Sequence, residues 1–506
     1  MKSRRVRRSP HRPSAIFCTP GPDRAVKSSQ SVPILASTHV CDRPPLPFDP
    51  IIAAIRFGTG LSPLLPVPAS ADAMLAALAG PDLIAQDWPI VSFADARPAV
   101  ADFRAANRAR RDARAAGATA EAAAEAAYEA LRADAGVLWL AQFGTSLTRT
   151  VVAPDGLRER LVAFWADHFT VRSRHVFATH LVTAYVEDAI RPHVAGRFAD
   201  MLHAVVLHPM MLAYLDQSDS IGPNSPVGQR RDRGLNENLA RELLELHTLG
   251  VGGPYGQDDV RQLAELLTGL GWNPDTGQMT YRADQAEPGA ETVLGQTFPE
   301  AAQIETVQAA LDALAAHPAT AAHVAHKLAV HFVADDPDPA LVAALETAFR
   351  DTGGDLLAVT AALLAAPAAW DPVAHKVKSP LAFVGSALRA LAVPPQDIIQ
   401  TDLRAARRRF INPLIVMGQP WETPGGPDGW PEAASDWITP QFMAGRIQWA
   451  MNVPETLRPD LPDPRDFVLT ALGHGAPEAV VFAAGAAEDR ALGIGVTLAS
   501  AAFQRR

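Results

Sequence analysis

Apolar residues recur at the three-and-four spacing of an α-helix through most of residues 48–391, and the strict alternation of a half-buried strand is nearly absent. A chain patterned this way can bury its apolar stripes only by packing helix on helix. The expected fold is all-α: a large multi-helical, bundle-like domain with long loops and one small β-hairpin within the turn-rich stretch 275–298. Ala, Arg and Glu, all strong helix formers, dominate 94–143. Further helices are expected at 48–57, from about 154, over 174–194, 198–215, 236–250 and 258–269, and at 300–316, 319–332, 338–352 and 354–366. Ser379-Pro380 matches an N-cap followed by an N1 proline and opens a helix running to Leu391.

The organisation read from the chain is a disordered tail over 1–46 followed by a helical domain over 47–506, with sub-lobes at 47–215, 216–300 and 301–506. At 506 residues and 48% hydrophobic content the chain can bury a large interior. A net charge of −10 gives no electrostatic support for a nucleic-acid partner. Arginine greatly outnumbers lysine, whose occurrences are Lys2, Lys27, Lys327, Lys376 and Lys378, as biased genomic composition would produce. Cys18 and Cys41 both precede the first structural element, so the domain offers no thiolate nucleophile and no cysteine-bound zinc. No apolar run approaches the ~18–20 residues of a membrane span. The basic start Met1–Arg8 lacks the apolar segment an export signal requires, which favours a cytoplasmic location over a periplasmic or envelope one.

One helix departs from ordinary patterning. On a wheel of 100° per residue, Leu235, Leu239, Leu243, Leu246 and Leu249 share a face, and Glu242 falls inside it. Asn236, Asn238, Arg241 and Glu245 surround it as a polar centre, with Arg241 able to reach Glu237 or Glu245 and leave Glu242 and Asn238 facing inward. A core-facing carboxylate needs a partner, because burying it bare is very costly. His168 lies at the centre of the face made by Leu157, Leu161, Phe164 and Trp165, and a neutral imidazole near Glu242 would make an acid–base pair or half a metal site. The loop Asp216–Asn224 is rich in oxygen ligands but carries Ile221 where an EF-hand loop needs glycine, so Asp216 and Asn224 are candidates for a different polar site or for loop bracing. His323 and His326 lie three apart without an evident third ligand. Trp421 and Trp430 sit in a proline-rich loop and either stack on a ligand or anchor the loop. The common nucleotide-binding and serine-hydrolase signatures are absent, and the residues specify no metal or cofactor.

The run from Leu235 through Glu242 to Gly250 resembles the signature of a bacterial family known as domain of unknown function 1800. Phe164–Phe169, His208–Asp216, Leu267-Thr268-Gly269, Lys327–Phe332, Lys378-Ser379-Pro380 and Gly429-Trp430-Pro431 resemble further segments of that family in the same order, over residues 48–505. Gly256 departs from the family's usual Thr or Ser, and glycine is a tolerable N-cap. The resemblance implies a large helical bacterial protein of unestablished activity. It also implies a partner from a second family, domain of unknown function 1501, whose genes are often adjacent and whose members often carry export signals. Two functions follow as expectations: a helical binding or assembly protein acting with a partner, or a hydrolase-type enzyme with Glu242 as general base and His168 as its partner or a metal ligand.

Overall fold

The computed structural model describes residues 48–173, 176–231, 234–299 and 302–506. The expected tail over 1–46, with Cys18 and Cys41, lies outside the described residues. The chain is mostly helical, 63% helix and 4% strand, and Pro45–Arg506 form one compact unit. Its many prolines do not oppose this, because they sit where a helix has no amide to lose. Pro50, Pro209, Pro318, Pro339, Pro380, Pro440 and Pro464 each open a helix. The Ser379 cap is present, its hydroxyl accepting from the Ala382 amide. At Gly256 the Asp259 carboxylate accepts the Gly256 amide at 2.8 Å, so part of the helix start is satisfied without a capping hydroxyl.

Strand structure exceeds the single expected hairpin. Leu270–Asn273 pairs antiparallel with Gln278–Tyr281, and Glu291–Val293 pairs with Gln296–Phe298. The second turn uses Leu294 and Gly295, both at positive φ, a conformation that matches the twist of a tight hairpin. The first hairpin begins before the predicted stretch because Leu270 to Asn273 reads as the end of the preceding apolar helix pattern.

The helix around Glu242 also differs from its wheel. Asn238–Glu242 is α-helical, but Leu243–His247 widens into a π-helical turn before Gly250 at φ +87 ends it. The inserted residue changes the phase of the helix, while Leu239, Leu243 and Leu249 all stay in the core. Asn238 is exposed rather than inward, and Glu242 is half-buried.

Two apolar clusters form the interior. One gathers side chains from Ala53 to Trp370, including Phe57, Leu161, Trp165, Phe198, Leu243 and Phe332. The other joins Phe143, Leu147 and Val151 to Phe383, Leu388, Trp449, Val468 and Phe503. The 35-residue helix Ala118–Val152 contributes to both, with Leu138 packed on the first cluster.

Candidate functional site

Where side chains of the two clusters approach, a cleft of about 290 Å³ opens. Its walls come from the helix Leu157–His168, the π-helical turn Val186–Ile190, the segment 377–386 and the loop 419–437. Glycine makes the loop's closest approach possible. Gly429 has φ +78, and a Cβ there would lie 2.6 Å from Asp167 Oδ1. The next amide, Trp430 N, donates to that same oxygen at 2.8 Å. Trp437 Nε1 donates to Pro431 O, and Trp421 stacks edge-on against Phe143 at 5.1 Å between centroids. Trp421 and Trp430 therefore both brace the loop and line the cleft.

Burial shifts the titrating groups of this cleft. Asp167 is pushed up to about 7 by burial, while the Trp430 amide and Lys327 oppose the shift and Glu432 and Asp428 add to it. Glu422, also buried, is pushed up to about 8, opposed only by the Thr183 hydroxyl that donates to it at 2.6 Å. Its other oxygen has no hydrogen-bond partner, and its backbone is left-handed at φ +55, a strain that concentrates at functional sites.

A cationic group occupies another part of the wall. Lys378 N donates to Gln504 O and Arg506 N to Lys376 O, so 376–378 and 504–506 run antiparallel. Alternation along such a pair puts Lys376, Lys378, Gln504 and Arg506 on one face. Lys376 is fully buried and satisfied, by Asp335 at 2.5 Å and by the Glu432 carbonyl and carboxylate at 2.6 and 3.4 Å. Burial would raise Glu432, but the surrounding His331, Lys376 and Arg506 outweigh it and hold it well below the usual carboxylate range. His331 Nδ1 contacts Glu432 at 2.5 Å, and its Nε2 meets Arg160 Nη2 at 3.0 Å. Because arginine only donates, Nε2 accepts and the imidazole is neutral, in keeping with burial pushing it down to about 4.

Lys378 is not satisfied in this way. Its Nζ has one hydrogen-bond partner, Ser386 Oγ at 3.2 Å, and lies 3.9 Å from the Phe503 ring centroid. Burial, reinforced by Arg506, Arg160 and Arg446, pushes it down to about 7. Arg506 has a buried Nε with no partner and, among the described residues, no side-chain carboxylate in ion-pair contact, although Glu432 acts on it from further off. Two other arginines of the wall are paired with carboxylates: Arg149 is bidentate to Glu187 at 2.6 and 3.0 Å, and Arg191 bridges Asp82 and Glu159.

The sequence-predicted residues are distributed as follows. Arg241 contacts both Glu237 and Glu245, at 2.9 and 3.4 Å, as expected. Among the described residues the Glu242 side chain has no hydrogen-bond or ion-pair partner; burial pushes its carboxyl up, with Glu245 and Asp428 adding and Arg241 opposing. His168 is enclosed, its Nε2 against the His247 carbonyl at 3.1 Å and its Nδ1 without a partner. It belongs to a group with His247 and His323, 6.4 and 5.9 Å away between ring centroids. All three are pushed down mainly by burial, His247 to about 3 and His323 to about 4. No hydrogen bond joins Glu242 to His168, and neither lines the cleft. Among the described residues no group of three His, Cys, Asp or Glu is arranged to hold a metal ion. Asn236 braces the loop by donating to the Asp216 carbonyl at 3.2 Å, and Asn224 grips the Glu287 carboxylate. Asp428 lies near enough to act electrostatically on Asp167, Lys327 and Glu242, which places Glu242 in the outer field of the cleft.

The sequence reading missed Asp167, Glu422, Lys378 and Arg506. One signal was available: in a chain that nearly avoids lysine, the lysines of the folded part are Lys327, Lys376 and Lys378. All three act on this site.

Fold and site together define a large helical protein with a largely apolar cleft into which several charged and titrating side chains project. The chain belongs to the DUF1800 family, described as a protein family of unknown function, whose family model matches residues 65–504. No curated protein and no solved structure matches it. No helix among the described residues is long and apolar enough to cross a membrane.

Proposed function

We propose that the protein is an acid–base enzyme whose active centre is the cleft beneath the 419–432 loop, with Asp167 as the carboxyl that takes and gives the proton. The observation that carries this reading is the pair of buried carboxyls, Asp167 and Glu422, lining one cavity at about 7 and about 8. A general acid or base works best near the operating pH, and burial is the usual way to bring a carboxyl there. Glu422 keeps its proton at neutral pH and, with its free oxygen, can donate a hydrogen bond to a bound substrate. Glu242 and His168 remain a second acid–base proposal, adjoining the cleft through Asp428 and Lys327. The test is turnover by full-length protein on a panel of esters, glycosides, amides and phosphomonoesters. Asp167→Asn should abolish the activity found; turnover that survives it unchanged removes Asp167 from the mechanism.

The reading of the chain as a binding or assembly protein acting with a partner has a separate support. A groove of about 810 Å³ runs between residues 403–416 and 445–456, with Arg404, Arg407 and Arg408 beside Val416. Co-elution with a protein of the domain of unknown function 1501 family, lost on Val416→Asp, tests it; absence of a complex removes that partner.

A further inference from the structure

On one wall of the cleft Arg160, Lys378 and Arg506 stand around a single lining carboxylate, Glu432. Lys376 and Asp335 pair with each other outside the lining, and Lys376 also reaches Glu432. Lys376 takes up Asp335 and shares Glu432, while Arg160 spends one nitrogen on His331 and another on a backbone carbonyl at 3.3 Å. Among the described residues neither Lys378 nor Arg506 has a side-chain carboxylate within ion-pair distance, and Glu432 acts on Arg506 only from further off. Buried cations without an anion are expensive, and proteins keep them where a ligand supplies the missing charge. The contrast lies within the same cavity, since Arg149 and Arg191 are each closed off by carboxylates.

We propose that the Arg160–Lys378–Arg506 wall is an anion subsite that binds the phosphoryl group of a small soluble substrate. The proposal rests on the cleft being the working site and adds the substrate class to it. An arginine fork and a lysine point charge converging on one volume suit an anion with several oxygens and up to two charges. Ser386, which receives Lys378, also lines the cavity and holds the ammonium in place. Arg506 is held by its amide on Lys376 O, and Lys378 by its own amide on Gln504 O, so both charges hang from one paired segment. Arg446 stiffens that segment from behind, donating to Gln504 Oε1 and to Lys378 O, each at 2.8 Å. The wall is therefore formed before a ligand arrives, which lowers the ordering cost of binding. The cavity of about 290 Å³ admits a phosphate with a small body attached. With the phosphoryl group on this wall, the rest of the molecule lies toward Asp167 and Glu422, which line the same cavity.

The test uses inorganic phosphate, titrated calorimetrically into the full-length protein at pH 7. The wild type should bind, and Arg506→Gln and Lys378→Met should each weaken binding at least about tenfold, the scale for removing one partner of a buried charge contact. Far-ultraviolet circular dichroism establishes that each variant is folded, and either one suffices. Failure of the wild type to bind at tens of millimolar overturns the proposal, as does binding that both cation variants leave unchanged. Acetate binding more tightly than phosphate overturns the phosphoryl assignment, and binding only to phosphatidate vesicles overturns a soluble substrate. Loss of the acid–base reading looks different: turnover then survives Asp167→Asn while phosphate binding stays dependent on Arg506 and Lys378.

Discussion

Replacing Asp167 by asparagine should make the protein more stable, and only above a defined pH. The folded carboxyl titrates at about 7, against 3.8 for an ordinary aspartate. Between those values the folded state binds the proton that the unfolded chain has released. Folding stability therefore declines as pH rises from about 4 through about 7 and is flat above. At 1.36 kcal/mol per pH unit the gap costs the wild type about 4 kcal/mol at pH 8. Asparagine keeps the acceptor that receives the Trp430 amide at 2.8 Å and carries no charge to bury. Urea unfolding of both proteins at pH 4.5 and pH 8 measures the effect. The expected result is a gain of about 4 kcal/mol for Asp167→Asn at pH 8 and about 1 kcal/mol at pH 4.5. An equal gain at both pH values, or none at pH 8, refutes the reasoning that the carboxyl is held desolvated for a purpose other than stability.

Gly429→Ala should cost about 1–3 kcal/mol, since it forces a Cβ into a left-handed position already 2.6 Å from Asp167 Oδ1. The displaced loop should also weaken the pH dependence just described, measurable in the same urea series. Arg149→Met should destabilise by about 3–5 kcal/mol, because it leaves Glu187 without its bidentate partner in a buried setting. Phe57→Ala should cost about 3–5 kcal/mol by opening a cavity between Phe332 and Trp370, whose rings lie 5.7 and 5.4 Å from it. Thermal or urea unfolding reads both, and a change below about 1 kcal/mol in either would contradict the packing described.

The helices were legible because their signals are local. Ser379-Pro380, the apolar spacing of 318–332 and the long Ala-rich run before Val152 depend on residues within a turn or two of each other. The widening at Leu243–His247 was not, because a π-helical turn has no reliable sequence mark; Asn238 precedes it, in the α-helical part, and faces solvent beside the buried Leu239. The cleft was harder still. Asp167 becomes desolvated through a loop more than 250 residues away in the chain, and nothing in the helix Leu157–His168 announces that loop. Its neighbour His168 drew attention by sitting on the apolar face, and the structure places that imidazole among His247 and His323. Lys378 and Arg506 meet through pairing of segments at 376–378 and 504–506, a long-range register that periodicity cannot supply.

Crystals of the full-length protein soaked with small polar fragments test the working-site claim most directly. The account predicts fragments in the cleft under the 419–432 loop, with anionic groups on Lys378 and Arg506 and neutral donors or acceptors against Asp167 and Glu422. Fragments that gather elsewhere on the molecule while this cleft takes none would contradict it.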